Sequence, residues 1–389
     1  MSLNGSRSAI KKKMTNSGPN QSLDSLFTKH FTTLKDPRRN TKGNFKYPLD
    51  EILFLTISAV LCEYNEWDDI VFFAESKIDW LRKFFPYKEG IPSHDVLNRV
   101  FNRLETKEFN DCFIKWVNSI ADLSQGRVIP IDGKTIRGMV SNFRDSKVHI
   151  VSAFCARNEI SLGQVKVDDK SNEITAIPKL LDLIAVKGCI VTIDAMGCQK
   201  EIAKKIIEKG ADYILMLKDN QPELKEQVEK VFRIQKSEMI DVQEDFGHGR
   251  IEKRTCEIIR KLNFLDGNED WLGLNTIVKI TSERTIKKTD EYSCETRLYI
   301  SSITGSASLI NNSIRSHWSI ENKLHWSLDV IMKEDGQLNY AGNGAENMNM
   351  IKKMALGMLA NEKTMLKSKS KKMKRALLND SYRELLLKV

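Results

Sequence analysis

Two hydrophobic periods divide this chain. Residues 48–64 carry apolar side chains on nearly every helical face, and residues 93–104 place Leu97, Val100, Phe101 and Leu104 on one face. The first pattern predicts a buried helix and the second an amphipathic one, with Ser93 after Pro92 as its N-cap. From Arg127 onward the period shortens. VIPID (128–132), VHIVSAFCA (148–156) and ISLGQVKV (160–167) read as three successive strands, the last two joined by a turn at Arg157 and Asn158. There follow a helix over 174–186, the strand CIVTID (189–194), an amphipathic helix over 199–209 stopped by Gly210, and the strand ADYILMLK (211–218).

This order, β-β-β-α-β-α-β-α, predicts an α/β fold. It is that of a ribonuclease-H-like mixed sheet flanked by helices, in which three antiparallel strands are extended by parallel ones. Residues 240–303 interrupt the alternation with the strand-like pieces IEKRTCEIIR, LNTIVKITSERT and CETRLYISS. Helical periodicity returns at Ala307, runs past Glu321 to about Met332, and resumes over Met348–Leu359. The expected organisation is a disordered polar segment (1–22), a helical N-terminal domain (23–122), a catalytic domain in two pieces (127–235 and 304–360), a β-rich insertion (236–303) and a basic C-terminal tail (361–389).

Three acids stand out against this framework. Asp132 and Asp194 end apolar strands that lie side by side in the expected sheet, and Glu321 sits in the helical run SHWSIENKLHWSLDVI. Hard divalent cations take carboxylate oxygens. Two such ions about 3.5–4 Å apart activate a water and stabilise a leaving oxygen in phosphodiester chemistry. Ligands of open α/β sheets gather outside the carboxyl ends of the strands, and Gly133 and Gly197 leave room there. The trio points to an enzyme that cuts or joins nucleic acid.

Taken singly, a strand-end Asp is more often a turn former or cap, and a helical Glu is often a surface partner of Lys or His. His317 and His325 flank Glu321 one turn to either side, while the buried stripe is expected at Trp318, Leu324, Leu328 and Ile331. The two histidines do not repeat H-E-x-x-H, which argues against a zinc hydrolase, and neither a phosphate-binding G-x-x-x-x-G-K-[ST] loop nor a G-x-S-x-G elbow occurs.

Charge modifies this picture modestly. Of the net +9, residues 1–13 contribute four basic and no acidic groups, and residues 361–389 nine basic against three acidic. Basic ends on a balanced body fit salt-sensitive binding to a phosphate backbone, although a solvated tail is the commoner explanation for a lysine run taken alone. The longest apolar stretch, Ile52 to Cys62, is broken by Thr56 and Ser58 and is too short to cross a bilayer. The N-terminal segment lacks the apolar core of a signal peptide, so a cytoplasmic location and no membrane partner are expected. Seven scattered cysteines without a C-x-x-C pair read as reduced core residues rather than a disulfide framework or a zinc site.

Longer blocks carry a resemblance. GIPSHDVLNRVF (90–101), IDGKTIRG (131–138), HIVSAF (149–154), EITAIPKLLDL (173–183), TIDAMGCQ (192–199), DYILMLKDNQP (212–222), HWSIENKLHWSLDVIMKED (317–335) and ENMNMIKKMALGML (346–359) resemble bacterial insertion-sequence transposases of the ISAs-type, H-repeat-associated family. The similarity runs in register over about residues 25 to 385. It implies a DDE transposase with a ribonuclease-H-like core, whose catalytic and metal-binding acids are Asp132, Asp194 and Glu321. It also implies two Mg²⁺ ions with Mn²⁺ as a substitute, double-stranded DNA (transposon ends and target) as substrate, end recognition by the N-terminal helices, a homodimer in the synaptic complex, and a nucleoid-associated location.

One departure concerns DNA contacts. The wider superfamily spaces Tyr, Arg, Glu and Lys where this chain has Ile314, His317, Glu321 and Leu328, while the ISAs-type subgroup itself carries His-Trp there. DNA-contact candidates are therefore Lys134, Arg137, Lys218, Arg315, His317, Lys323, His325 and Lys333; for Lys134, Arg137 and Lys218 a salt bridge within the fold is an equal alternative. Two other readings stay open: a catalytically inactive relic that only binds DNA, and a structure-selective endonuclease on the same fold.

Overall fold

The computed structural model describes residues 26–31, 33–38, 46–121, 123, 125–136, 148–168, 171–247, 249–337 and 342–388. Six helices come first: α1 (Leu26–Phe31), α2 (Leu49–Val60), α3 (Trp67–Ser76), α4 (Ile78–Leu81), α5 (His94–Arg103) and α6 (Thr106–Ile120). The two helices read from apolar periodicity are α2, buried along almost its whole length, and α5, whose Leu97, Val100 and Phe101 are buried. Strands β1 (Val128–Ile136), β2 (Val148–Cys155) and β3 (Ile160–Lys166) precede α7 (Glu173–Leu183), β4 (Ile190–Ile193), α8 (Lys200–Glu208), β5 (Asp212–Leu217) and α9 (Pro222–Ile234). Next come β6 (Met239–Gly247), β7 (Arg250–Ile259), β8 (Thr276–Ile286) and β9 (Tyr292–Ser301). The chain closes with α10 (Ala307–His317), π-helical turns, α11 (Gly344–Asn361), α12 (Lys369–Leu378) and α13 (Asp380–Leu387).

All nine strands form one mixed sheet in the order β3-β2-β1-β4-β5-β9-β8-β7-β6. β1 runs antiparallel to β2 and parallel to β4, β2 runs antiparallel to β3, and β4 runs parallel to β5. These five strands reproduce the order expected from the sequence. The stretch expected as a β-rich insertion continues the same sheet, because β9 pairs antiparallel with β5. It holds four strands rather than three. β6 (MIDVQEDFG) has mostly exposed positions, so neither an apolar run nor a clean alternation announces it.

α10 lies over β1, β4, β6 and β7 on one face, where Ile190, Ile214, Ile258, Val278 and Ile310 form a core. Ile129, Ile131, Val191 and Ile193 point to the opposite face and join the main core with Ile177 and Leu180 of α7 and Ile202 and Ile206 of α8. α11 is buried from Asn347 to Ala360 because it packs against β3, α2, α5 and α6 together.

Residues 361–389, expected as a basic tail, instead carry α12 and α13. Met373, Ala376, Tyr382, Leu386 and Leu387 supply an apolar face, and the buried Arg383 stacks on Trp80 with its guanidinium 3.9 Å from the ring centroid. The lysines occupy mainly the outer face, so composition concealed an amphipathic pair. Six cysteines are buried and Cys294 is exposed. Among the described residues, no helix is long and apolar enough to cross a membrane.

Candidate active site

The last registered parallel pair between β1 and β4 is Ile131 with Ile193. Asp132 and Asp194 therefore stand beside each other one residue further on, on the face shared with Thr192, since alternate strand residues point the same way. Asp194 ends its strand as expected and accepts a hydrogen bond from the Met196 N–H at 3.1 Å, capping the 3₁₀ turn Ala195–Gly197. Asp132 does not end its strand. It pairs with Ser152 of β2, and that ladder runs on to Ile136. The aspartate sits where parallel pairing stops and antiparallel pairing continues, so both its flanks are rigid backbone.

Glu321 lies in the helical segment that follows α10, and its charge acts on Asp132. His317 at the end of α10 places Nδ1 3.0 Å from Thr192 Oγ1. Beyond it the helix widens: Ile320–His325 and Ser327–Ile331 are π-helical, with the Trp326 N–H donating to Glu321 O and the Met332 N–H to Ser327 O. The buried stripe is consequently Ile320, Leu324, Leu328 and Met332, while Trp318 and Ile331, expected in it, are half-buried. π-turns are rare in helices and recur at functional sites. Within this wider turn Ile320 is buried and Glu321 is exposed.

The electrostatics join these groups. Burial pushes the Asp132 carboxyl up to about 7; Asp194, Glu173 and Glu321 add to the effect, against a hydrogen bond from the Gly133 N–H. Burial, then Glu173, raises Asp194 as well, and Lys218 opposes the rise. His325 Nδ1 lies 3.6 Å from Asp132 Oδ2, too far for a hydrogen bond. Burial holds that imidazole at about 3, so it is neutral and no ion pair forms. Its Nε2 is buried without a hydrogen-bond partner.

Among the described residues, no three His, Cys, Asp or Glu side chains are grouped closely enough to be a finished metal-ligand set. The donors nonetheless fit a hard divalent cation. They are carboxylate oxygens, two of them held side by side by the sheet, and burial with neighbouring carboxylates disfavours their charge in a way that a cation would offset.

The DNA-contact candidates divide. Lys134 is consumed within the fold: its Nζ lies 2.7 Å from Asp329, 2.9 Å from Glu334 and 3.6 Å from Asp335. His317 is buried against Thr192 and kept neutral, at about 4, by that burial. Neither faces a substrate. Arg315 and Lys323 are exposed but paired with Asp245 at 2.6 Å and Glu159 at 2.8 Å. Lys333 is exposed in the left-handed backbone region, with φ 49°. Lys218 is exposed at the end of β5, where Asp194 feels its charge. Arg137 lies outside the described residues.

Two residues escaped the sequence reading. Glu173 opens α7 directly after its N-cap Asn172 and accepts from, or pairs with, His149 Nε2 at 2.7 Å, whose Nδ1 lies 2.8 Å from Thr135 Oγ1. Both residues begin blocks that carry the family resemblance, HIVSAF and EITAIPKLLDL, which was the available signal.

Known proteins are similar to this chain over most of its length. Residues 123–358 match the family described as "Transposase DDE domain", and residues 28–117 match one described as "DDE_Tnp_1-associated". The chain is 40% identical to "Putative transposase YncI" of Escherichia coli O157:H7, over 94% of this chain and 95% of that protein. It is 37% identical to "H repeat-associated putative transposase YhhI" of Escherichia coli K12, over 91% and 95%. A further relative from that strain, "Inactive transposase YbfQ", is 36% identical over 74 residues, 19% of this chain. On a family match over more than half its length and on these relatives, this chain belongs to the DDE-domain transposase family of bacterial insertion sequences.

Proposed function

We propose that this chain is a working transposase that binds the terminal inverted repeats of its insertion sequence and catalyses Mg²⁺-dependent cleavage and strand transfer at Asp132, Asp194 and Glu321. The observation that carries the reading is the pairing of Asp132 with Asp194 just past the parallel register, within reach of the Glu321 charge. Two Mg²⁺ ions, with Mn²⁺ as a substitute, would activate a water and then a DNA 3′-hydroxyl and stabilise the leaving oxygen. Asp132 and Glu321 would hold one ion and Asp132 with Asp194 the other. The β1 and β4 backbones keep the two aspartates in place, and Lys218 at the mouth would take up phosphate charge. The N-terminal helices would read the ends of the element, two copies would meet in the synaptic complex, and the work would be done at the nucleoid in the cytoplasm.

A labelled substrate set tests this function. Cleavage of native ends over scrambled ends and branched junctions is the expected result. Junction cleavage without end preference would indicate a structure-selective nuclease. Binding without cleavage would indicate a relic, a reading kept in view by the relative named inactive.

The Glu173–His149 pair gives a second expectation. A Cβ on Gly133 would lie 2.1 Å from Glu173 Oε1 and 2.5 Å from His149 Nε2. Gly133→Ala should push that pair away from the aspartates. The displaced atoms are side-chain ends, so the melting temperature should fall by only about 1–2 °C, equivalent to about 1 kcal/mol in a chain of this size. End cleavage should fall roughly a hundredfold, because misplacement near the reacting groups is costly. Unchanged cleavage would show that the pair is idle.

A further inference from the structure

Beside the helix that carries Glu321, a groove of about 770 Å³ opens between β7, β8 and β9 and the C-terminal end of α10. Seven basic and three acidic side chains line it. On the strand side, Arg254 pairs in register with Ser282, which pairs in turn with Glu295. Most of the basic groups already have carboxylate partners: Glu295 holds Arg297 at 2.7 Å, Asp245 holds Arg315 at 2.6 Å, and Glu159 holds Lys323 at 2.8 Å.

Arg254 is different. Among the described residues no carboxylate pairs with it, and its Nε is buried without a hydrogen-bond partner. Burial above all, then the Arg315 and Arg297 charges, disfavours its charged form, while the Tyr299 phenol and the Cys256 thiol act the other way. A half-buried guanidinium whose Nε has no hydrogen-bond partner is unfavourable unless an anion joins it. A guanidinium fork suits a phosphate, which it can grip through two hydrogen bonds.

The rest of the lining narrows the ligand. Trp318 stacks under the Arg297 guanidinium, 5.0 Å from its ring centroid, and Ser319, Asn322 and Asn312 add uncharged donors. A wall of phosphate donors with an aromatic surface fits a nucleic-acid strand better than a lone anion. Trp318, Ser319, Asn322 and Lys323 flank Glu321 in sequence, so the groove runs beside the helical segment that carries the third acid.

We propose that this groove binds the phosphodiester backbone of a DNA strand beside the acidic site, with the half-buried Arg254 as its phosphate contact. The proposal rests on the transposase reading and adds a binding surface to it.

The test is binding of a fluorescent random-sequence duplex to the full chain over a range of KCl concentrations. Arg254→Gln should weaken binding about tenfold at fixed salt and reduce the slope of log K against log salt by about one. Arg254→Lys should restore the slope, and Lys374→Ala on the exposed face of α12 should leave it unchanged. Arg254→Gln should also melt no lower than the wild type, since a group retained for a ligand contributes little to the free fold. If the wild type binds duplex but Arg254→Gln and Arg254→Gln/Arg315→Gln keep its slope, the groove assignment fails and the transposase reading stands. A lowered melting temperature that Arg254→Lys repairs without repairing the slope would make Arg254 structural and overturn the proposal. A wild-type chain that binds no duplex would overturn both.

Discussion

Asp132→Asn is expected to abolish metal-dependent DNA cleavage, by roughly a thousandfold or more, while making the ion-free protein more stable above neutral pH. The Asp132 carboxyl stands at about 7 in the fold, against about 3.9 in an unfolded chain. A carboxyl raised in this way contributes its stability fully below about pH 4 and loses it as the pH climbs through about 7. Asparagine cannot ionise and keeps that contribution at every pH. The variant should therefore exceed the wild type at about pH 8 by on the order of 2–4 kcal/mol without Mg²⁺, and match it at about pH 4. Adding Mg²⁺ should narrow the gap, because a cation held by the native carboxylates stabilises only the wild type. Thermal melts at the two pH values, with and without Mg²⁺, check each part. Equal stability at the higher pH would mean that Asp132 is not held in a desolvated, negatively charged setting.

Lys134→Met should be the most damaging change outside the acids. Burial opposes the lysine charge, but Glu334 and Asp329 outweigh it and raise its pKa, so the ammonium stays charged. Its removal takes from the Glu334 carboxylate, whose side chain is 1% exposed, its closest ammonium and leaves the Asn349 amide at 2.6 Å, and it removes the ammonium beside Asp329 and Asp335. Breaking one side of a buried ion pair costs about 3–5 kcal/mol. The expected readout is a lower urea midpoint. Lys134→Met/Glu334→Gln should recover part of the loss, since the two residues are in contact and their effects do not add. The loss should extend to cleavage, because Asp329, Glu334 and Asp335 follow Glu321 closely and tie its helix to β1. A midpoint unchanged in Lys134→Met would contradict the internal cluster.

Particular residues show what could be read in advance. VIPID and CIVTID announced themselves through β-branched runs, and their adjacency followed from the element order, so the aspartate pair was legible. The continuation of β1 through Gly133, Lys134 and Thr135 was not, because those residues are satisfied by distant partners: Glu334 for the lysine and His149 for the threonine. Glu173 escaped for the same reason, since its neighbours Gly133 and His149 come from other strands. The π-turn shifted the helical register by enough to replace Trp318 with Ile320 in the buried stripe. In α12 and α13 a lysine-rich composition masked Met373, Tyr382 and Leu386, whose burial depends on α11. Local pattern identifies elements; long-range pairing decides which polar residues they can bury.

We propose that Asp132, Asp194 and Glu321 form one metal-dependent DNA-cutting site. Its most direct test uses duplex carrying the inverted repeats that bracket the gene, incubated with wild type and Glu321→Gln in Mg²⁺ or in EDTA. Cleavage at the element end by the wild type in Mg²⁺ alone, with Glu321→Gln binding the same duplex as tightly and leaving it intact, is the predicted result. Cleavage by Glu321→Gln at the wild-type rate, or none by a wild-type protein that binds those ends, would contradict it.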